Sequence, residues 1–202
     1  QYNRRSWQNR VYIMDSKKLN KKWLTMPLRE SSRKFKINEV FLSKNSLEIF
    51  KNQLFENYRH TKFFEDYFDL FSKILEKNIE KNLSEINICI IKEICKLLGI
   101  NLTFKKCSQF SINKKKEYLI LSLLKISKST NYLANDGSTK YADASFFDKN
   151  KIKMRPHNFK HPYYFQSNLK SHNFVKGLSI LDLLFNEGEA SISLVKNQRI
   201  KF

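Results

Sequence analysis

Tyr132-Leu133-Ala134-Asn135-Asp136-Gly137-Ser138-Thr139-Lys140-Tyr141-Ala142-Asp143 is the stretch from which the fold is read. Tyr132 to Ala134 is a short apolar strand, and Asn135 to Ser138 are turn formers, with Gly137 able to take φ > 0 at no steric cost. Before them, Lys115 to Ser127 is dense in Leu and Ile, enough for a buried helix. After them, Tyr141 to Lys149 reads as a short helix and Lys151 to Met154 as another strand. Helix, strand, loop, helix, strand is the order of an open parallel sheet, where ligands bind beyond the carboxyl ends of strands. The loop Asn135–Lys140, with Asp136 and Gly137, is therefore a candidate site wall; the plainer alternative is a simple turn.

Outward from that stretch, the fold class expected is α/β. One domain is expected over 1–202, a mostly parallel open sheet flanked by helices, with a helical hairpin inserted at about 46–80. Val11 to Met14, Trp23 to Leu28, Lys36 to Leu42 and Ile100 to Phe104 read as strands. Leu47, Phe50, Leu54, Phe55 and Tyr58 fall at helical spacing, as do Phe64, Tyr67, Phe68, Phe71, Ile74 and Leu75, with a break near Arg59-His60-Thr61. An aromatic stripe of that period belongs to a core and not to a base-stacking platform. Asn82 with Glu85 opens another helix, which ends at Leu98 with Gly99 as its left-handed residue. With the Ile100–Phe104 strand, the next helix and Tyr132–Ala134, this predicts a strand, helix, strand unit with a right-handed crossover. Leu178 to Asn186 is a compact apolar helix ended by Gly188.

The composition narrows the function. A formal charge of +19 over 202 residues invites a polyanion partner. Lys, Asn, Ile and Phe are all abundant and Lys far exceeds Arg, which A/T-rich codon usage produces without selection for nucleic acid. No run approaches 18 apolar residues, so no transmembrane helix is expected. Cys89, Cys95 and Cys107 are an odd set without CxxC spacing or nearby His, so no metal site is expected, only reduced, buried thiols in a cytoplasmic protein. No Walker loop, GxGxxG, GxSxG or HExxH is present, and no cofactor is indicated. The chain opens on Gln1, and Gln1 to Trp7 reads like the inside of a domain, so a preceding segment is expected.

Two polar clusters stand out. Arg4, Arg5, Asn9 and Arg10 could converge on an anion, since Arg presents a rigid fork to carboxylate or phosphate, or could form a solvated loop. Pro156 and Pro162 bracket His157 and His161 in an irregular loop that runs on through Tyr163-Tyr164-Phe165-Gln166, the kind of loop that carries sites. Asp182, among apolar neighbours, needs a partner: it either tethers another segment or faces a ligand.

Tyr132-Leu133, Gly137, Tyr141 and Asp143, His161-Pro162 with Gln166, and Leu178-Ser179-Ile180-Leu181-Asp182-Leu183-Leu184-Phe185-Asn186 with Gly188 together resemble the WbqC-like family. Gln1-Tyr2, Arg4-Arg5, Trp7 and Asn9-Arg10 resemble its early block, and Trp23-Leu24-Thr25 with Pro27 the next. The family continues Tyr-Leu with Ser-Gly, where this chain has Ala134 and Asn135; it also opens with a His-Gln-Pro loop and an acidic strand, neither of which precedes Gln1 here. The resemblance implies an enzyme of bacterial O-antigen or other surface-polysaccharide biosynthesis. It would act on a nucleotide- or lipid-linked sugar, or another small anionic substrate; the resemblance assigns no reaction, and group transfer is one option. In that reading His161 and Asp182 are the catalytic candidates. Arg4, Arg5, Asn9, Arg10, Asp136, Gly137, Tyr141, Gln166 and Asn186 bind substrate. A basic nucleic-acid-binding module and a non-catalytic partner in a biosynthetic complex are the alternatives, the latter motivated by Ala134 and Asn135. Arg10, the Asn135–Tyr141 loop, Gln166 and Asp182 are expected around one cleft, because isolated buried polar groups cost about 1–3 kcal/mol each.

Overall fold

A computed structural model describes residues 2–3, 5–29, 35–135, 137, 142–167, 169 and 173–198. Two compact units divide the chain: Gln1–Asn101 with His161–Asn197, and Leu102–Lys160 with Gln198–Phe202.

The first unit begins with a hairpin, β1 (Arg10–Asp15) and β2 (Asn20–Thr25), antiparallel with Arg10 opposite Thr25 and Asp15 opposite Asn20. The turn is made by Asp15, whose Oδ1 accepts from the Lys17 and Lys18 amides, both at 3.0 Å, and by Leu19 at φ 52°. The Lys18 amide is the main reason that this carboxyl is held below the usual aspartate range. Three helices follow: α1 (Ser46–Tyr58), α2 (Phe64–Asn78) and α3 (Leu83–Leu97). The α1–α2 break closes where the Thr61 amide and hydroxyl both donate to the Tyr58 carbonyl. Phe50, Leu54, Tyr58, Phe64, Phe71 and Leu75, the stripe seen at helical spacing, are buried in one core with Ile13 and Met14 of β1. The α3 N-terminus is capped by Asn82, whose Oδ1 accepts from the Glu85 amide at 3.1 Å, and Gly99 closes the C-terminus at φ 59°.

The second unit holds α4 (Lys116–Ile126), β3 (Asn131–Ala134), α5 (Ala144–Lys149) and β4 (Lys153–Pro156). β3 and β4 pair in parallel, Asn131 opposite Lys153 and Ala134 opposite Pro156. A parallel pair needs a crossover, and α5 supplies it. Asp143 caps α5 by accepting from the Ser145 amide at 2.9 Å. The core here is small, Leu121, Phe147 and Ile152, with Tyr132 and Met154 packed against it.

The mixed α/β character holds, as helices with two small sheets. Several sequence expectations give way. Among the described residues each sheet is two strands wide, and one is antiparallel. Lys36 to Leu42 is not a strand but a 3-10 turn, Ile37–Glu39, followed by isolated bridges at Phe41 and Leu42. Its backbone finds other partners: the Glu39 carboxylate accepts from the Lys36 amide at 2.8 Å, and the Val40 carbonyl accepts from the Leu83 amide at 2.7 Å. Ile100 to Phe104 forms no ladder either; the Ile100 amide turns back to the Cys95 carbonyl, and Leu102 and Phe104 are exposed. The strand, helix, strand unit thus runs from β3 through α5 to β4, not from Phe104. The positive-φ glycines among the described residues are Gly99, Gly177 and Gly188, and Gly137 is not one of them. The thiols also differ from expectation, since Cys107 is exposed and Cys89 and Cys95 are half-buried.

The apolar run Leu178 to Asn186 forms α6 (Ile180–Glu187), and α7 (Ser191–Lys196) follows a 3-10 turn, Gly188–Ala190. Gly188 sits at φ 55°, and a Cβ there would lie 2.8 Å from the Phe63 ring. Both its conformation and its space require glycine.

Candidate functional site

α6 is set against β1 by Ser179. The Ser179 amide donates to the Tyr12 carbonyl at 2.7 Å, and its hydroxyl accepts from the Leu181 amide, capping the helix. From Leu181 to Asn186 every residue of α6 is buried. Two of them are polar. Asp182, 1% exposed, accepts from the Tyr164 hydroxyl at 2.7 Å and from Gln166 Nε2 at 3.2 Å, and the Tyr58 hydroxyl also bonds to it. Gln166 in turn clasps Val175, donating to its carbonyl at 3.1 Å and accepting from its amide at 2.9 Å. Asn186 accepts from the Ser167 amide at 2.9 Å and hydroxyl at 2.6 Å, and donates to the Asp182 carbonyl at 2.8 Å. The Met14 amide donates to the Tyr58 hydroxyl at 2.7 Å, so the network reaches from β1 through α1 to α6 and the loop before it.

Burial raises the Asp182 carboxyl above the usual aspartate range, against the opposing pull of Tyr164, Tyr58 and Gln166 and of the nearby His161 charge. Burial likewise raises Tyr164 and Tyr58, with the Asp182 charge adding to both. His161 is half-buried, and its Nδ1 lies 3.1 Å from the Pro162 carbonyl. Its ring stacks on Tyr164 with centroids 6.3 Å apart.

Leu181, next to Asp182 in the chain, lines a cavity of about 340 Å³. Ligand pockets run from about 300 to 1,000 Å³. Its depth is apolar, lined by Leu24, Phe71, Ile86, Ile90 and Ile94 among others. Polar lining comes from Gln8, Asn9, Arg10, Asn87 and Ser179. Trp7 and Ile91, 63% and 48% exposed, mark where it meets solvent. α3 explains the space: it carries Ile at 86, 88, 90, 91 and 94, yet only Leu83 and Ile86 of that helix are buried. Asn87 Nδ2 donates to the Gln8 carbonyl at 2.8 Å and holds the loop before β1 beside α3.

Arg10 lies against this cavity. Its guanidinium sits 3.9 Å over the Trp23 ring, which stacks on Tyr12, and Trp7 meets both rings edge-on. Arg10 Nε donates to the Ser6 carbonyl at 3.1 Å and Nη2 to the Arg5 carbonyl. It has no salt bridge among the described residues.

The sequence-predicted residues are distributed as follows. Arg5, Asn9, Arg10, His161, Gln166, Asp182 and Asn186 all belong to the first unit. Gln166, Asp182 and Asn186 share one hydrogen-bond network, and Asn9 and Arg10 line the cavity. Arg5 is exposed, at φ 62°, and offers Arg10 its carbonyl. Asn9 donates to the Met26 carbonyl at 2.8 Å and accepts from the Tyr2 hydroxyl, so its side chain ties the loop to β2's end. Gly137 is exposed and belongs to the second unit. Arg4, Asp136 and Tyr141 lie outside the described residues, as does most of the loop expected to wall the cleft. Ala134 is 0% exposed. Sequence reasoning missed Tyr58, Tyr164, the Trp7–Tyr12–Trp23 cluster and Asn87. Asn87 alone left a signal, an amide between two isoleucines on an apolar helix face. Among the described residues no group of three or more His, Cys, Asp or Glu could hold a metal, and no helix is long and apolar enough to cross a membrane.

The chain belongs to the WbqC-like protein family, whose model matches residues 1–194. It is 27% identical over 190 residues to Uncharacterized protein Rv1507c of Mycobacterium tuberculosis (strain ATCC 25618 / H37Rv), covering 93% of this chain and 80% of that protein. No solved structure matches.

Proposed function

We propose that this chain is an enzyme of bacterial surface-polysaccharide (O-antigen) assembly, a cytoplasmic transferase acting on a nucleotide- or lipid-linked sugar. The observation that carries the reading is Arg10. It is a half-buried guanidinium fixed on Trp23, without a carboxylate partner among the described residues, beside a cavity of ligand size. Such a cation suits the phosphate of an activated sugar. In the transfer, a hydroxyl of the acceptor forms the new bond while the donor's bond to phosphate breaks. The phosphate leaves with its charge beside Arg10, and the acceptor's proton passes to water at the open mouth of the cavity. Asp182 is a positioning residue in this reading, holding Tyr164 and the loop that carries His161 against α6. Free cysteines agree with a reducing compartment.

Deleting the gene and examining the surface polysaccharide by gel tests this. Loss or shortening of the polysaccharide, restored by the wild-type gene and not by Arg10→Ala expressed at equal level, is the expected result. An unchanged polysaccharide after deletion contradicts the reading. Full restoration by Arg10→Ala makes the chain a non-catalytic partner instead. A second reading, nucleic-acid binding, draws on residues 102–160, where 13 Lys and Arg stand against 4 Asp and Glu. Absence of binding to duplex and single strands at low salt removes it.

A further inference from the structure

We infer that the cavity between α3, α2, the β1–β2 hairpin and the start of α6 is a binding site for a single aliphatic chain carrying an anionic head group. This deepens the proposed function, on which it rests, by selecting a lipid-linked substrate over a nucleotide-linked one.

The walls exclude a nucleotide base or a sugar as the deep occupant. Both need hydrogen-bond partners, and an unpaired buried polar group costs about 1–3 kcal/mol. The depth offers Leu, Ile and Phe side chains, against which only an apolar group is stable. Size sets the length of the chain. An apolar cavity of about 150 Å³ holds one benzene. A cavity of about 340 Å³ therefore takes about a dozen carbon atoms. Half-buried Ile90 and Ile94 leave apolar surface on α3 that such a chain would cover.

The polar groups fix its direction. Gln8 and Asn87 share a hydrogen bond, and both adjoin Trp7 or Ile91, the residues that meet solvent. Arg10 is the one cation lining the cavity among the described residues, and no acidic residue lines it. A head group seated beside Arg10 is therefore anionic, a phosphate or a carboxylate. The two chemistries are separated by the probes below.

Trp7 and Trp23, the two tryptophans of the chain, both belong to the aromatic cluster at Arg10, so their emission reports on occupancy directly. The full chain is titrated with octanoate, decanoate, dodecanoate, dodecyl phosphate and dodecanol, below their micelle concentrations. Expected are saturable changes in emission and an affinity that rises about fourfold per added CH₂ up to about twelve carbons, then levels. The anionic heads should bind about tenfold more tightly than dodecanol, the tighter of the two naming the natural head. Ile90→Phe, which fills the depth, should weaken dodecanoate at least tenfold; Ile90→Trp serves the same purpose if the first variant does not fold. Arg10→Lys should lose the preference for the tighter head while keeping the chain-length series. No saturable binding, an affinity independent of chain length, or equal binding of dodecanol overturns the inference. Polysaccharide loss on gene deletion without alkyl binding would leave the transferase reading standing and this one refuted; alkyl binding without any polysaccharide phenotype would do the reverse.

Discussion

Leu181 and Asp182 are neighbours on α6, yet they belong to regions of opposite character. Asp182 sits in a polar network in which its carboxylate, Gln166 and Asn186 all have protein partners. Leu181 borders a cavity lined by isoleucines of α3, of which Ile90 and Ile94 are only half-buried. A saturated polar network fixes chain segments and has little left to offer a ligand. An apolar surface without cover has everything to offer one. On the proposed reading, the difference separates the residues that hold this unit together from those that would face a substrate.

The largest effect should come from Asp182→Ala. Tyr164, Tyr58 and Gln166 lose their buried acceptor, at about 1–3 kcal/mol per orphaned donor, so a loss of about 3 kcal/mol in urea unfolding is expected. A loss below about 1 kcal/mol would mean that the network is not a tether. Gly188→Ala comes next, at roughly 2–3 kcal/mol, because alanine meets both an unfavourable φ and the Phe63 ring. Paired overpacking then contrasts the two regions: Leu54→Phe, in the close-packed core, should lose about 1–3 kcal/mol, whereas Ile90→Phe should be neutral or gain up to about 1 kcal/mol. Equal losses in the pair would mean that the cavity wall is as tightly packed as the core.

The helices were legible because apolar residues such as Phe50, Leu54 and Tyr58 keep a 3.6 period, and the strands of both sheets because short apolar runs end in turn formers. Lys36 to Leu42 and Ile100 to Phe104 misled for one reason: alternation shows that a segment can be a strand but not that an edge awaits it. Asp182 was legible as a buried carboxylate in need of a partner, and its partner Tyr164 was not, because a loop tyrosine carries no period. Arg10 stood out from its own cluster. The cavity was not legible at all, since an isoleucine such as Ile90 reads the same whether it faces the core or a void.

The smallest effect lies in the pH profile. Asp182 titrates above the ordinary aspartate value of 3.8, so between that value and its raised folded value the native state holds a proton that the unfolded chain has released. Stability from this group is therefore complete below 3.8 and declines as pH rises through that window. The stability of wild type minus that of Asp182→Asn should fall over the same window, measured by urea unfolding at several pH values. A difference that rises with pH would mean that hydrogen bonding to the carboxylate outweighs its burial.

The central claim is that holding and binding rest on different residues of the first unit. The measurement that tests it most directly is the melting temperature with and without dodecanoate for wild type, Asp182→Asn and Ile90→Phe. Asp182→Asn should melt lower than wild type and keep the full stabilisation by dodecanoate, whereas Ile90→Phe should melt with or above wild type and lose that stabilisation. A normal melting temperature for Asp182→Asn together with a lost dodecanoate shift would put Asp182 in the binding site and contradict the account.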